Sequence, residues 1–258
     1  MSLPQLFLKA EVSRELPEFQ YVVSLPEDWK LQTKELFIGP RGSNALSVRT
    51  TMLKDGKAIP VVVLVRPLDA LIPNADDCVG ARPDTWKDCL KLSEEKYRQE
   101  LSDTEAVLIT LRKESVTAQL YEADVLDGKT EGAPDARFAA TRFGVEVWEA
   151  FSMSLAQYVE EFNIGKEQAL DELVPMIMRL CAVLELQPHK LFHRDLHFGN
   201  VVVNLDATGK IVDMRLIDLS SVSEKRSHQC TVQSLMSDFF TLKFEIAERR
   251  RKDKVSVV

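Results

Sequence analysis

From Leu36 to Pro67 short apolar runs alternate with turn residues: LFIGPRGSNALSV, TTML, KDGK and AIPVVVLVRP. Runs of this kind, bounded by glycine, proline and aspartate, are the signature of strands, and Asp55-Gly56 between two of them is a hairpin signal. Three antiparallel strands are predicted here. The prolines in and around LDALIPNADDCVGARPD predict a loop after Pro67. Asp84 to Glu114 has few breakers, with Leu90, Leu101, Val107, Leu108 and Leu111 spaced for a long helix or two in series. Strands return at VTAQLYEADVL and RFAATRFGVEVWEAF, separated by DGKTEGAPD, which reads as a turn. Beyond Ser152 the pattern becomes helical, first in SLAQYVEEF and then in GKEQALDELVPMIMRLCAVLELQ. In the latter, Leu170, Leu173, Val174, Ile177, Leu180, Cys181 and Leu184 share a face and Pro175 predicts a kink. KIVDMRLIDLSS predicts another strand, and TVQSLMSDFFTLKFEIAERRRKDK a closing helix with a basic end. A mainly β first half and a mainly α second half predict an α+β, two-lobe plan.

Composition narrows the classes. A chain of 258 residues with 45% hydrophobic content is long and apolar enough to bury a real core. A net charge of -7 argues against a broad nucleic-acid footprint, so no nucleic-acid partner is expected. Cys78, Cys89, Cys181 and Cys230 form no C-x-x-C pair, which suggests neither a zinc knuckle nor a disulfide framework and fits a reducing, intracellular compartment, cytoplasmic or nuclear. MSLPQLFLKAEVSREL lacks a signal-peptide pattern and no apolar run approaches a membrane span, so no membrane partner is expected.

Between two apolar runs lies LFHRDLHFGNVVV, Leu191 to Val203. An aspartate that can orient a hydroxyl or take its proton, and an asparagine and a second aspartate that offer hard oxygens to Mg²⁺, are the equipment of phosphoryl transfer. Asp195, Asn200 and Asp218, the last at the end of the apolar strand RLIDLSS, are these residues. HRDLHFGN resembles the catalytic loop of the protein kinase superfamily, and IDLSS stands where that family has its D-F-G segment. The histidine at 197 makes the loop similar to those of haspin-like and other divergent kinases, and also to the loops of small-molecule phosphotransferases.

The resemblance implies a two-lobe, protein-kinase-like domain over 1–258, with a β-rich N-lobe at 1–151, a hinge at about 148–151 and a mainly helical, shortened C-lobe at 152–258. It implies ATP and Mg²⁺ as cofactors, Asp195 as catalytic base, Asn200 and Asp218 as metal ligands, and His193 and Arg194 as braces of the loop, with His197 near the transferred phosphate. Backbone groups from Trp148 to Phe151, Glu149 and Phe151 among them, would meet adenine. Gly39 and Gly42 would form a reduced phosphate loop, and Arg66 stands where the family has its strand-three lysine. Glu105, with Glu100 as runner-up, would pair with that cation, and SLMSDFF places Asp238 as a buried aspartate of the last helix. The function implied is transfer of the γ-phosphoryl of ATP to a hydroxyl, first on a protein serine or threonine. A pseudokinase acting as a nucleotide-binding or interaction scaffold is one alternative, and a small-molecule kinase of the aminoglycoside or choline type is another.

Overall fold

A computed structural model describes residues 4–10, 19–32, 45–71, 92–185, 189–224 and 230–255. The chain divides into two compact units, Met1–Ser102 with Gln119–Ala150, and Asp103–Ala118 with Phe151–Val258. The boundary falls inside helix α1, Glu94–Leu111.

The first unit is built on six strands, β1 (Gln5–Ala10), β2 (Phe19–Ser24), β3 (Leu46–Lys54), β4 (Lys57–Pro67), β5 (Leu120–Glu131) and β6 (Arg142–Glu149). They form one antiparallel sheet in the order β1-β2-β5-β6-β4-β3. Beyond β2 the chain passes through a short 3₁₀ turn, and Leu31 bridges Met52 on the outer edge of β3. The Gln32 N–H donates to the Thr51 carbonyl at 2.8 Å and the Leu53 N–H to the Lys30 carbonyl at 3.1 Å. The sheet thereby curls almost onto itself, barrel-like, and its inner face is the core. Val61, Val63 and Val65 of β4 and Phe143, Val145 and Val147 of β6 are fully buried, while the residues between them face the other way. β-branched and aromatic side chains at every second position suit such a pleated, half-buried surface. Tyr21 lies inside with its hydroxyl donating to the Phe138 carbonyl at 3.2 Å, and burial pushes its pKa well up. The β3–β4 hairpin closes at Asp55-Gly56 with φ of 51° and 74°, the type I′ turn whose twist matches that of the strands. On the opposite face, Tyr97 of α1 lies flat over Gly144. A Cβ on that glycine would meet the ring at 2.5 Å, so only glycine lets the helix settle there.

The second unit holds β7 (Met153–Ser154), α2 (Leu155–Glu161), α3 (Lys166–Gln168), α4 (Val174–Glu185), β8 (Phe192–His193), β9 (Val201–Leu205), β10 (Ile211–Leu216), β11 (Val222–Ser223) and α5 (Val232–Val255). The strands make a three-stranded sheet, β10-β9-β7, and a two-stranded one, β11-β8. Thr117 adds a parallel bridge to Leu216, flanked by hydrogen bonds from Ala118 N–H to the Leu216 carbonyl and from Leu216 N–H to the Val116 carbonyl. Leu155, Val159, Ile177, Val201, Val203 and Leu216 form the buried centre of this unit. Pro175 is preceded by a π-helical turn at Ala169–Leu173, in which the Val174 N–H reaches back to the Ala169 carbonyl. Proline lacks the N–H that would continue the α pattern, and the wider turn lies directly before that break.

The architecture corrects the expectation of a protein-kinase-like fold with a small N-lobe and a mainly helical C-lobe. The chain is mixed α/β, its first unit is a nearly closed six-stranded sheet, and its second unit interleaves five strand segments with its helices. Two-residue strands such as β7, β8 and β11 are too short to leave a period-two pattern, so that half reads as helical from its sequence. Two further expectations change. Asp127 to Glu131, expected in a turn, continue β5, so the chain turns only after Glu131. Cys181 and Cys230 form a disulfide, with Cα atoms 6.3 Å apart. At a sequence separation of 49 no local spacing announces such a pair, and the expectation of no disulfide is corrected for these two cysteines, while Cys78 and Cys89 lie outside the described residues. No helix among the described residues is long and apolar enough to cross a membrane.

Candidate active site

The segment LFHRDLHFGNVVV is held by two registers. On one side β8 pairs with β11, Val222 opposite His193, and the Arg194 N–H reaches the Ser221 carbonyl at 3.3 Å. On the other, β9 pairs with β10, Val201 opposite Leu216, and the Ile217 N–H donates to the Asn200 carbonyl at 3.0 Å. These two ladders put Asp218 one residue beyond the partner of Asn200. The signal for β9 and β10 is their run of valines and alternating apolar residues; nothing in the pattern announces β8 and β11.

Within the loop each polar group has a definite task. Asn200 is buried, and its Nδ2 donates to the Asp195 carbonyl at 2.8 Å. A carbonyl only accepts, so the amide orientation is decided, and Oδ1 has no hydrogen bond among the described residues. Asp195 turns its own carboxylate outward, with 65% of the side chain exposed. Asp218 occupies the left-handed region, φ 57° and ψ 54°, a conformation that aspartate tolerates better than most residues. Its Oδ1 accepts the Ser220 hydroxyl at 3.0 Å, and its carbonyl accepts from Ser221.

His193 is buried, and its Nε2 lies 2.9 Å from the Ile217 carbonyl, which places a proton on that nitrogen. Nδ1 faces the Ser221 hydroxyl at 3.1 Å, and the same hydroxyl lies 3.0 Å from the Asp218 carbonyl. The single hydroxyl proton serves one of these acceptors at a time. Burial lowers the His193 pKa, against the bond to Ile217, so the ring is neutral near pH 7. His193 thus links the start of the loop to the Asp218 turn, and Ser221 joins it without any forewarning in the pattern.

His197 folds back on its own loop, with the Gly199 N–H donating to Nδ1 at 3.0 Å. The remaining proton then sits on Nε2, which lies 3.9 Å from Asp195 Oδ2, outside hydrogen-bond distance. A Cβ on Gly199 would come within 2.7 Å of the imidazole, so the glycine of HFGN makes room for the histidine two residues earlier. Phe198 donates its N–H to Asp238 Oδ2 at 2.8 Å, and its ring packs near Phe239 of α5. Burial raises the Asp238 pKa, and the hydrogen bond from Phe198 works against that shift. Arg194 is exposed, and only its backbone is engaged among the described residues.

In the first unit Arg66 does meet carboxylates. Its Nη1 lies 3.1 Å from Glu100 Oε2 and its Nη2 3.9 Å from Glu146 Oε1, while Nε is buried with no hydrogen-bond partner among the described residues. Glu146 is itself buried and accepts the Trp148 indole N–H at 2.8 Å. Glu100, the alternative partner, is therefore the one in contact, and Glu105 stands exposed on the same helix. The difference is one of helix face, because Tyr97 over Gly144 sets the rotation of α1. The Glu149 N–H is spent on the Gln119 carbonyl, its carboxylate accepts the Gln119 N–H, and the Ala150 N–H reaches the Pro60 carbonyl at 3.4 Å. Phe151 is buried in the second unit. Gly39 and Gly42 lie outside the described residues.

No three His, Cys, Asp or Glu side chains among the described residues are grouped to hold a metal ion. Asn200 Oδ1 and the Asp218 carboxylate offer hard oxygens from adjoining ladders, which fits a cation that keeps most of its ligands as water and phosphate rather than one caged by protein. The chain matches no protein-family model and no curated protein.

Proposed function

We propose that the chain is an ATP- and Mg²⁺-dependent phosphotransferase that moves the γ-phosphoryl group to a hydroxyl, first on protein serine or threonine. The observation that carries this reading is the division of labour in one loop. Asn200 is locked through its amide nitrogen with its oxygen uncommitted, the Asp195 carboxylate is presented to solvent, and Asp218 is held in a left-handed turn next to them. The reading rests on this loop and not on the overall architecture.

In the proposed reaction Asp195 orients the acceptor hydroxyl and takes its proton as the new O–P bond forms and the bond to the β-phosphate oxygen breaks. His193 and Ser221 hold the backbone on both sides of the loop, so that little reorganisation is needed during the reaction. Asn200 Oδ1 and Asp218 would hold Mg²⁺, which when bound neutralises phosphate charge. Asp195→Asn should lower transfer from radiolabelled ATP by about 10²- to 10⁴-fold, measured on generic protein acceptors and a panel of hydroxyl metabolites. Transfer undiminished in that variant would overturn the assignment.

A second reading, a nucleotide-binding or interaction scaffold without catalysis, is favoured by one observation. The N–H groups of Glu149 and Ala150, expected to meet adenine, are already used by the Gln119 and Pro60 carbonyls. Thermal stabilisation by Mg²⁺ and ATP without transfer to any acceptor would select it.

A further inference from the structure

The disulfide partners bracket the candidate site. Cys181 lies on α4 and Cys230 two residues before α5, and His193, Arg194, Asp195, His197, Asn200 and Asp218 all fall between them. The end that carries Cys230 is tied down further. Its N–H donates to Glu185 Oε1 at 3.2 Å, its sulfur lies 3.6 Å from the Met178 sulfur, and Thr231 and Ser234 exchange hydrogen bonds that open α5. Eight residues on, the same helix supplies Asp238, the acceptor for the Phe198 N–H in the middle of the loop. Two turns of helix therefore connect the sulfur bridge to a backbone contact of the site.

We propose that Cys181 and Cys230 are a thiol-redox site that controls the loop, competent when oxidised and loosened when reduced. Cys181 is buried and Cys230 half-buried, so a small dithiol attacks the sulfur of Cys230. That sulfur–sulfur bond breaks, the electron pair leaves on Cys181, which takes a proton, and a mixed disulfide forms at Cys230. The second thiol of the reductant then displaces Cys230 as a thiol and leaves as a cyclic disulfide, so two electrons and two protons pass to the protein. Glutathione disulfide reverses the change by accepting them. The effect on phosphoryl transfer rests on the function proposed above, whereas the effect on the loop does not.

The test uses the full chain. Peptide mapping after oxidation with glutathione disulfide should find Cys181 linked to Cys230, and dithiothreitol should speed hydrogen exchange at the Phe198 amide by about tenfold or more while amides of β4 and β6 keep their rates. Cys230→Ser, at the half-buried position, should exchange fast in both buffers. No linkage, or equal Phe198 exchange in oxidised and reduced wild-type protein, would overturn the proposal. Phosphoryl transfer followed in the same samples separates the two ideas. Redox-dependent exchange with no transfer in either state sinks the phosphotransferase reading alone, and Asp195-dependent transfer with redox-insensitive exchange sinks the redox site alone.

Discussion

His193 concentrates the physical chemistry of the loop in one side chain. It is buried and neutral, and it donates from Nε2 to the Ile217 carbonyl. Its folded pKa lies below the ordinary 6.5 because burial disfavours the charged ring. Between that lowered value and 6.5 the unfolded chain binds a proton that the folded chain refuses, so stability falls as pH drops through this window and is intact above it. Urea midpoints at about pH 7.5 and about pH 5.5 should therefore differ in the wild type, and His193→Gln should remove this part of the difference. Asp238 acts in the opposite sense. Its raised pKa lets the folded state hold a proton above 3.8, so its contribution declines as pH rises through the folded value. The motif residues are legible from their types, because few arrangements call for His, Asp and Asn within eight positions. Ser221 and Glu146 are not, since each gains its part only when strands far apart in sequence come into register.

Among the elements, α2 shows how local signals decide a boundary. Ser154 Oγ accepts the Gln157 N–H at 3.2 Å, and Gln157 Oε1 accepts the Ser154 N–H at 2.9 Å, a reciprocal capping box. With only seven residues, α2 depends on this cap and on burying Leu155, Tyr158 and Val159. Ser154→Ala should cost about 1 kcal/mol of stability, seen as a lower urea midpoint at unchanged slope. The hairpin at Asp55-Gly56 is equally local, and its register follows from the turn type. By contrast β1 and β2 escape a reading of the sequence, although Leu6 and Leu8 are buried on either side of exposed Phe7. The alternation of β1 is genuine but brief, β2 buries Tyr21, Val22 and Val23 in succession, and both gain meaning only once β2 pairs with β5, about a hundred residues away in sequence.

For the chain as a unit, the disulfide lies wholly within the second compact unit. Closing a loop with a sequence separation of 49 is worth about 4 kcal/mol in chain-entropy terms. Reduction is expected to lower the denaturation midpoint of the second unit by up to that amount of stability and to leave the transition of the first unit in place. Tryptophan fluorescence from Trp29, Trp86 and Trp148, all within the residue ranges of the first unit, followed beside far-ultraviolet dichroism distinguishes the two. Coincident shifts of both signals would contradict independent behaviour.

The sequence by itself determined the hairpin, the helices of the second half and the polar residues of the His193–Asn200 loop, because turn chemistry, helical periodicity and unusual clusters are encoded by near neighbours. Only the tertiary structure decided that the first unit curls into a nearly closed sheet, that Glu100 rather than Glu105 faces Arg66, and that Cys181 meets Cys230. Each of those outcomes depends on strand order, helix rotation or long-range pairing, and these are set by which buried faces fit one another across the fold rather than by any local pattern.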